Sequence, residues 1–197
     1  MGKKLDSLMA LKGKKFNVPE FVVVKSYADL AELLDTITEK QWKTISIRAD
    51  RPLSTNSLGN LPFHPDQNLF EAIVKINYIL RNRDLWVIAS RGIDTSKSKI
   101  AGKYLQTPIE GFVEYFLGPG SIRSVIEEGA VQSGKLQHFV VPSPQKPTDI
   151  EHDDWLLVLN MIRRTNLEFK IPFCIEWSIY PEAIGNRNER LILWEVT

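Results

Sequence analysis

Residues 174–197, CIEWSIYPEAIGNRNERLILWEVT, form two apolar runs around a polar stretch, and each run holds one glutamate among large hydrophobic side chains. Successive side chains of a strand point to opposite faces. That period puts Phe173, Ile175, Trp177 and Ile179 on one face of the first run, and Cys174, Glu176, Ser178 and Tyr180 on the other. In the second run it sets Ile192, Trp194 and Val196 against Leu191, Leu193 and Glu195. Gly185-Asn186 supplies turn chemistry between the runs, so the pattern predicts an antiparallel hairpin. A register that pairs Glu176 with Glu195 also pairs 181 with 190 and leaves a loop over 182–189. An unpaired carboxylate in a half-buried strand is costly. Spacing alone leaves two solutions open: both glutamates lie on a solvated face of an edge hairpin, or one bound cation compensates both.

Working back from that hairpin, DDWLLVLNMIRRTNLEF reads as the best helix, with Asp153 or Asp154 near its start and Leu156, Leu159 and Ile162 inside. LQHFVVPSP and GFVEYFLG read as strands, and SIRSVIEEG between them as a short helix after Gly-Pro-Gly 118–120. LWVIAS is a buried strand with KIAGKYLQT as its weaker partner. LFEAIVKINYILRN is amphipathic, with Leu69, Ile73, Ile76 and Leu80 inward, and RPLSTNSLGNLPFHPDQN before it is a long loop. KTISIRAD is a short strand. SYADLAELLDTITE has Ser26 as N-cap and Leu30, Leu33, Leu34 and Ile37 on one face. EFVVV is a strand buried on both sides, and KLDSLMALKG a helix stopped by Gly13. Helices and strands are mixed, with hairpins near the end, which predicts an α+β fold of mixed or antiparallel sheets with packed helices. The expected organisation is one domain, or two lobes over about 1–80 and 81–197.

The 197 residues are 43% hydrophobic and 25% charged, the composition of a soluble globular protein. A net charge of +1 offers no global attraction to nucleic acid or an anionic membrane. Cys174 is the single cysteine, which excludes an intrachain disulfide and a cysteine-based zinc cluster. No apolar run has the length of a signal peptide's core or of a bilayer span, and the expectation is a cytoplasmic protein without membrane contact. His64, His138 and His152 lack ligand-like spacing and receive no role, whereas Trp86, Trp155 and Trp177 are expected in the core.

In this order the motifs resemble the ATP-grasp nucleotide-binding domain of pyruvate phosphate dikinases and phosphoenolpyruvate synthases. PFCIEWS after a helix is similar to that family's Asp-Ile-Glu-Trp-Ala, and LILWEVT to its Leu-Tyr-Ile-Leu-Gln-Ser-Arg. MGKKLDSLMALKGKKFNVPEFVVVKSY resembles its glycine- and lysine-containing opening helix and the Val-Pro-x-Gly-Phe-Val-Val strand, and ISIRAD its Val-Arg-Ser-Ser strand end. VEYFLGPGSIRSVIEEGAVQSGKLQHFVV is similar to its glycine-rich segment and the strand that follows. The resemblance implies that Glu176 and Glu195 hold magnesium, that Lys3 or Lys4 and Arg48 contact ATP phosphates, and that Arg48 has the catalytic role. It implies ATP and Mg as cofactors, and phosphoryl transfer to an acceptor that a separate protein could carry. The chain departs from the pattern in its single opening glycine, in Ala49-Asp50 after Arg48 where the family has two serines, and in lacking the family's phosphohistidine domain and pyruvate barrel.

The residue types suit that chemistry. Phosphoryl transfer relies on positioning and charge neutralisation, and magnesium takes one or two carboxylates alongside phosphate oxygens and water. Arg48 and Arg51 at a strand end have guanidinium forks that grip phosphate, with surface pairing to Asp50 as the plain alternative. Lys3, Lys4, Lys12, Lys14 and Lys15 equally suit a solvated terminus. Two further readings stand beside the first: a degenerate ATP-grasp-like binding module, and nucleic-acid binding through the lysines and TSKSKIAGK, which the near-neutral charge opposes.

Overall fold

A computed structural model describes residues 3–51, 61–118, 137–141 and 146–197, and they divide into two compact units. The segment 121–129 and the Pro119 and Gly120 of the glycine turn lie outside the described residues. Helix α1 (Lys3–Gly13) contributes to both units, which otherwise comprise 19–94 for the first and 14–18 with 95–197 for the second.

The first unit is an antiparallel four-stranded sheet, β1 (Phe21–Val24), β4 (Trp86–Arg91), β2 (Ile45–Asp50) and β3 (Phe63–Gln67) in spatial order, with helices α2 (Leu30–Glu39) and α3 (Leu69–Leu80). The core forms where alternate strand residues Val22, Val24, Ile45, Ile47, Ala49, Val87 and Ala89 meet Leu33 and Ile37 of α2 and Ala72, Ile76, Ile79 and Leu80 of α3. Complete burial of each such Ile or Leu is worth about 1.5–3 kcal/mol. β1 is therefore half-buried rather than covered on both sides, because Phe21 and Val23 face away from the helices. Leu69 is 44% exposed; α3 starts one residue after its Asn68 cap and turns Ala72 inward instead. Asn68 accepts from Glu71 N (2.9 Å) and Glu71 returns a bond to Asn68 N (3.2 Å), a reciprocal cap. Within the stretch expected as loop, Phe63–Gln67 pairs with β2 as an edge strand, where Pro65 is tolerated.

The second unit is an antiparallel five-stranded sheet in the order β7 (Gln137–Val141), β6 (Gly111–Leu117), β5 (Ile100–Gln106), β8 (Phe173–Ile184) and β9 (Glu189–Val196), with helix α4 (His152–Glu168). β5 pairs with β6 and β8 and not with β4, because β4 is flanked on both sides by β1 and β2. α4 buries Asp154, Trp155, Val158, Met161, Ile162 and Thr165, while Leu156 and Leu159 lie largely outward. Two anchors set that phase: Trp155 packs edge-on against Phe139 at 5.0 Å, and Asp154, with no exposed surface, binds Lys99 (2.7 Å) and Arg190.

The terminal hairpin forms, and its first run alternates as predicted, with Phe173, Ile175, Trp177 and Ile179 buried; in the second run Leu191 and Leu193 share the face of Ile179 and Trp177 rather than that of Glu195. Its turn is shorter than 182–189, spanning 185–188, because the strands continue to Ile184 and Glu189. Glu176 pairs with Glu195 but Trp177 pairs with Leu193, so Trp194 is an extra, bulged residue that shifts the register of everything beyond it. The indole of Trp194 donates to Ser178 Oγ at 2.9 Å.

Asn17 locks the turn. Its buried amide donates to the carbonyls of Ile184 (2.8 Å), Glu189 (3.1 Å) and Leu191 (2.9 Å), and its oxygen accepts from Arg187 N (2.9 Å). Gly185 has φ +79°, and a Cβ there would stand 2.5 Å from Asn17 Oδ1. Only glycine fits that approach without displacement.

Candidate functional site

Strand order and register set one row of charged residues across the face of the five-stranded sheet that carries Glu176. Glu114 on β6 stands opposite Lys103 on β5, Lys103 opposite Glu176 on β8, and Glu176 opposite Glu195 on β9. His138 on β7 holds the next register position beside Glu114. Lys103 Nζ and Glu114 Oε2 pair at 2.7 Å, with both side chains about a third exposed (34% and 36%). Three carboxylates against one ammonium leave the row negative.

Opposed residues of an antiparallel pair have Cβ atoms about 4.5–5.5 Å apart, and like charges there repel. Glu176 and Glu195, both half-buried, occupy that arrangement. Among the described residues no group of three or more His, Cys, Asp or Glu gathers as a metal cluster. Two carboxylates so placed could hold a hard cation that takes its other ligands from water or phosphate, as magnesium does.

Cys174 shares this face and exchanges backbone hydrogen bonds with Thr197 (2.8 and 2.9 Å). Burial pushes its thiol pKa up, the Lys103 charge pulls it down, and Glu176, Glu114 and Glu195 push it up again. All four charges of the row are thus felt at one atom. A cavity of about 370 Å³ opens beside Lys103 and Glu114, with Leu105 and Phe112 completing its lining. A cavity of similar size, about 380 Å³, lies at α4 and the opposite face with Leu191 and Leu193, and neither cavity is lined by a member of the glutamate pair.

The first unit brings the expected basic residues together by a different device. Asp50 is 5% exposed and accepts from Leu5 N (2.8 Å) and Arg51 N (2.9 Å). This carboxylate caps the first turn of α1 and holds Lys3 and Lys4 at the end of β2, next to Arg51. It is a buried structural acceptor rather than a surface residue. Arg48 alternates with the buried Ile47 and Ala49, so it faces away from α2 and α3, and its guanidinium lies 4.9 Å over the Phe63 ring. Lys14, by contrast, pairs with Glu168 (2.9 Å) in the second unit. The expected residues thus form two groups, one in each unit: Lys3, Lys4, Arg48 and Arg51, and the pair Glu176 and Glu195.

Sequence reasoning missed Lys103 and Glu114. Their own strands alternate clearly, but nothing local says that β5 lies beside β8. Asn17 was equally hidden, since its partners lie 167 to 174 positions away.

No family model and no curated protein matches the chain. Solved structures do. The D-alanyl-alanine synthetase A of Vibrio cholerae aligns over 99% of this chain and 54% of its own, with TM-score 0.55 and 10% identity. The carboxyaminoimidazole ribonucleotide synthase of Aspergillus clavatus, complexed with ATP, aligns over 99% and 44%, with TM-score 0.55 and 13% identity. A RiPP-associated ATP-grasp ligase of Chryseobacterium gregarium aligns over 96% and 49%, with TM-score 0.50 and 11% identity. The chain spans about half the length of these proteins. They are ligases and synthetases, so the likeness does not single out the dikinase family that the motifs resemble. Two antiparallel sheets, helices in this order and alignment over nearly the whole chain give this protein the ATP-grasp fold.

Proposed function

We propose that this protein binds ATP with magnesium and activates an acceptor by phosphoryl transfer, as a ligase-type ATP-grasp module. The observation that supports this most directly is the like-charged pair Glu176 and Glu195, set opposite one another within a row of net negative charge. Opposed like charges are unfavourable unless offset, and a cation shared by both carboxylates would offset them. A bound magnesium would neutralise the pair and draw charge from the phosphate oxygens as the transfer proceeds.

In the reaction proposed, an acceptor oxygen forms a bond to the γ-phosphorus as the bond to the β,γ-bridging oxygen breaks and ADP departs. The residues do this by holding charge in place. Glu176 and Glu195 orient the cation, and Arg48, Arg51 and a lysine of the first turn of α1 are proposed as phosphate contacts, with Arg48 stabilising the charge that develops. Arg48 is pre-oriented for such a role by its stack on Phe63, which limits the rotamers of a long side chain. Ligase neighbours favour a transfer that activates the acceptor for bond formation.

The test is thermal stabilisation by ATP with and without magnesium. A shift that requires the metal and disappears in Glu176→Ala supports the reading. Absence of any shift with every nucleotide removes it and leaves the degenerate binding module.

A further inference from the structure

Lys103 is the feature of this face that the proposed reading leaves unused. It stands in register between two carboxylates, Glu114 on one side and Glu176 on the other, and its ammonium is held by Glu114 at 2.7 Å. Next to it lies a cavity of about 370 Å³ with Leu105 and Phe112 as apolar walls. Apolar walls lower the local dielectric and strengthen any charge interaction made there.

We infer that Lys103 is a phosphate-contacting residue of this site, positioned by Glu114. The inference rests on the reading of Glu176 and Glu195 as the cation pair. One divalent cation offsets those two carboxylates and leaves the triphosphate with surplus negative charge that needs further cationic partners. A lysine ammonium has three donors on a flexible stem, so it keeps one on Glu114 and turns the others toward phosphate. The cavity gives the phosphate room to approach it. Glu114 acts through Lys103: it sets where the ammonium waits, and without it the cation would lean toward Glu176 and compete with the metal.

The experiment measures affinity for magnesium-ATP and for AMP by calorimetry in the full chain and in Lys103→Met, Lys103→Arg and the double variant Lys103→Met/Glu114→Gln. The double variant removes the orphaned carboxylate, so it reports even where the single variant folds poorly. Loss of a charge-assisted bond to phosphate predicts roughly tenfold or more weaker binding of magnesium-ATP in Lys103→Met, with AMP nearly unchanged and partial recovery in Lys103→Arg. Wild-type protein that binds magnesium-ATP, with both methionine variants binding it equally well, overturns the role of Lys103 and leaves the cation pair standing. Equal weakening for ATP and AMP also overturns it, since that outcome marks a structural residue. Wild-type protein that binds neither nucleotide sinks the underlying reading and this inference together.

Discussion

Asp50 and Glu176 are both acidic residues of strands, one in each sheet, and the two sheets use them in opposite ways. Asp50 is buried and surrounded by backbone donors, Leu5 N and Arg51 N, which a carboxylate accepts from with no change of state. Glu176 is half-buried and faces another carboxylate, Glu195, on one side and Lys103 on the other. A charge satisfied by fixed backbone dipoles holds the fold together. A charge set against its like stands where a cation shared by both would be favoured. The difference separates a structural carboxylate from a candidate ligand more clearly than burial does.

Three measurements press on that contrast. The largest effect is expected from Asp50→Ala, which strips the cap from α1 and leaves a buried amide without its acceptor. Chemical denaturation should show a loss of about 2 kcal/mol, the sum of a lost cap and an unsatisfied donor. A loss near zero would mean that the α1 turn finds water instead, and the contrast would fail on its structural side. The next is Glu195→Gln without nucleotide. Removing one of two opposed like charges should leave stability unchanged or raise it by up to about 1 kcal/mol, while the magnesium-dependent response to ATP falls. Marked destabilisation would show the pair to be structural after all.

The smallest effect is kinetic. The Cys174 thiol has a raised pKa, so less thiolate is present at any pH below that value and labelling by iodoacetamide at pH 8 should be slower than for a free thiol. Lys103→Met removes the neighbouring positive charge, raises the pKa further and should slow labelling again by a few-fold. Glu176→Gln should quicken it. Insensitivity of the rate to both changes would show that the row does not act on the thiol as one field.

Much of the fold was legible because its cues are local. Alternation in 173–179, Gly13 and the Gly185-Asn186 turn each act within a few residues, and the strands and helices formed about where those cues placed them, although Ser26 caps a 3-10 turn (Tyr27–Asp29) and Asp29 caps the helix after it. The errors are of another kind. Leu156 and Leu159 have the spacing of an inward face yet lie outward, because apolar spacing alone cannot tell a helix phase from one rotated by a single residue. The anchors that decide it, Phe139 and the partners of Asp154, come from other strands. The bulge at Trp194 likewise follows from pairing with β8 rather than from the composition of β9.

By itself the sequence determined which segments alternate, where chains turn, and that Glu176 and Glu195 could meet across a hairpin, since all of these are set by short-range sterics and backbone hydrogen bonding. Tertiary structure alone decided that β5 lies against β8, and with it the placing of Lys103 and Glu114 in the same row. It also decided that Asn17 closes a turn more than 160 positions away. The physical reason is that sheet order depends on which apolar faces bury together most completely across the whole chain, and no local window contains that choice.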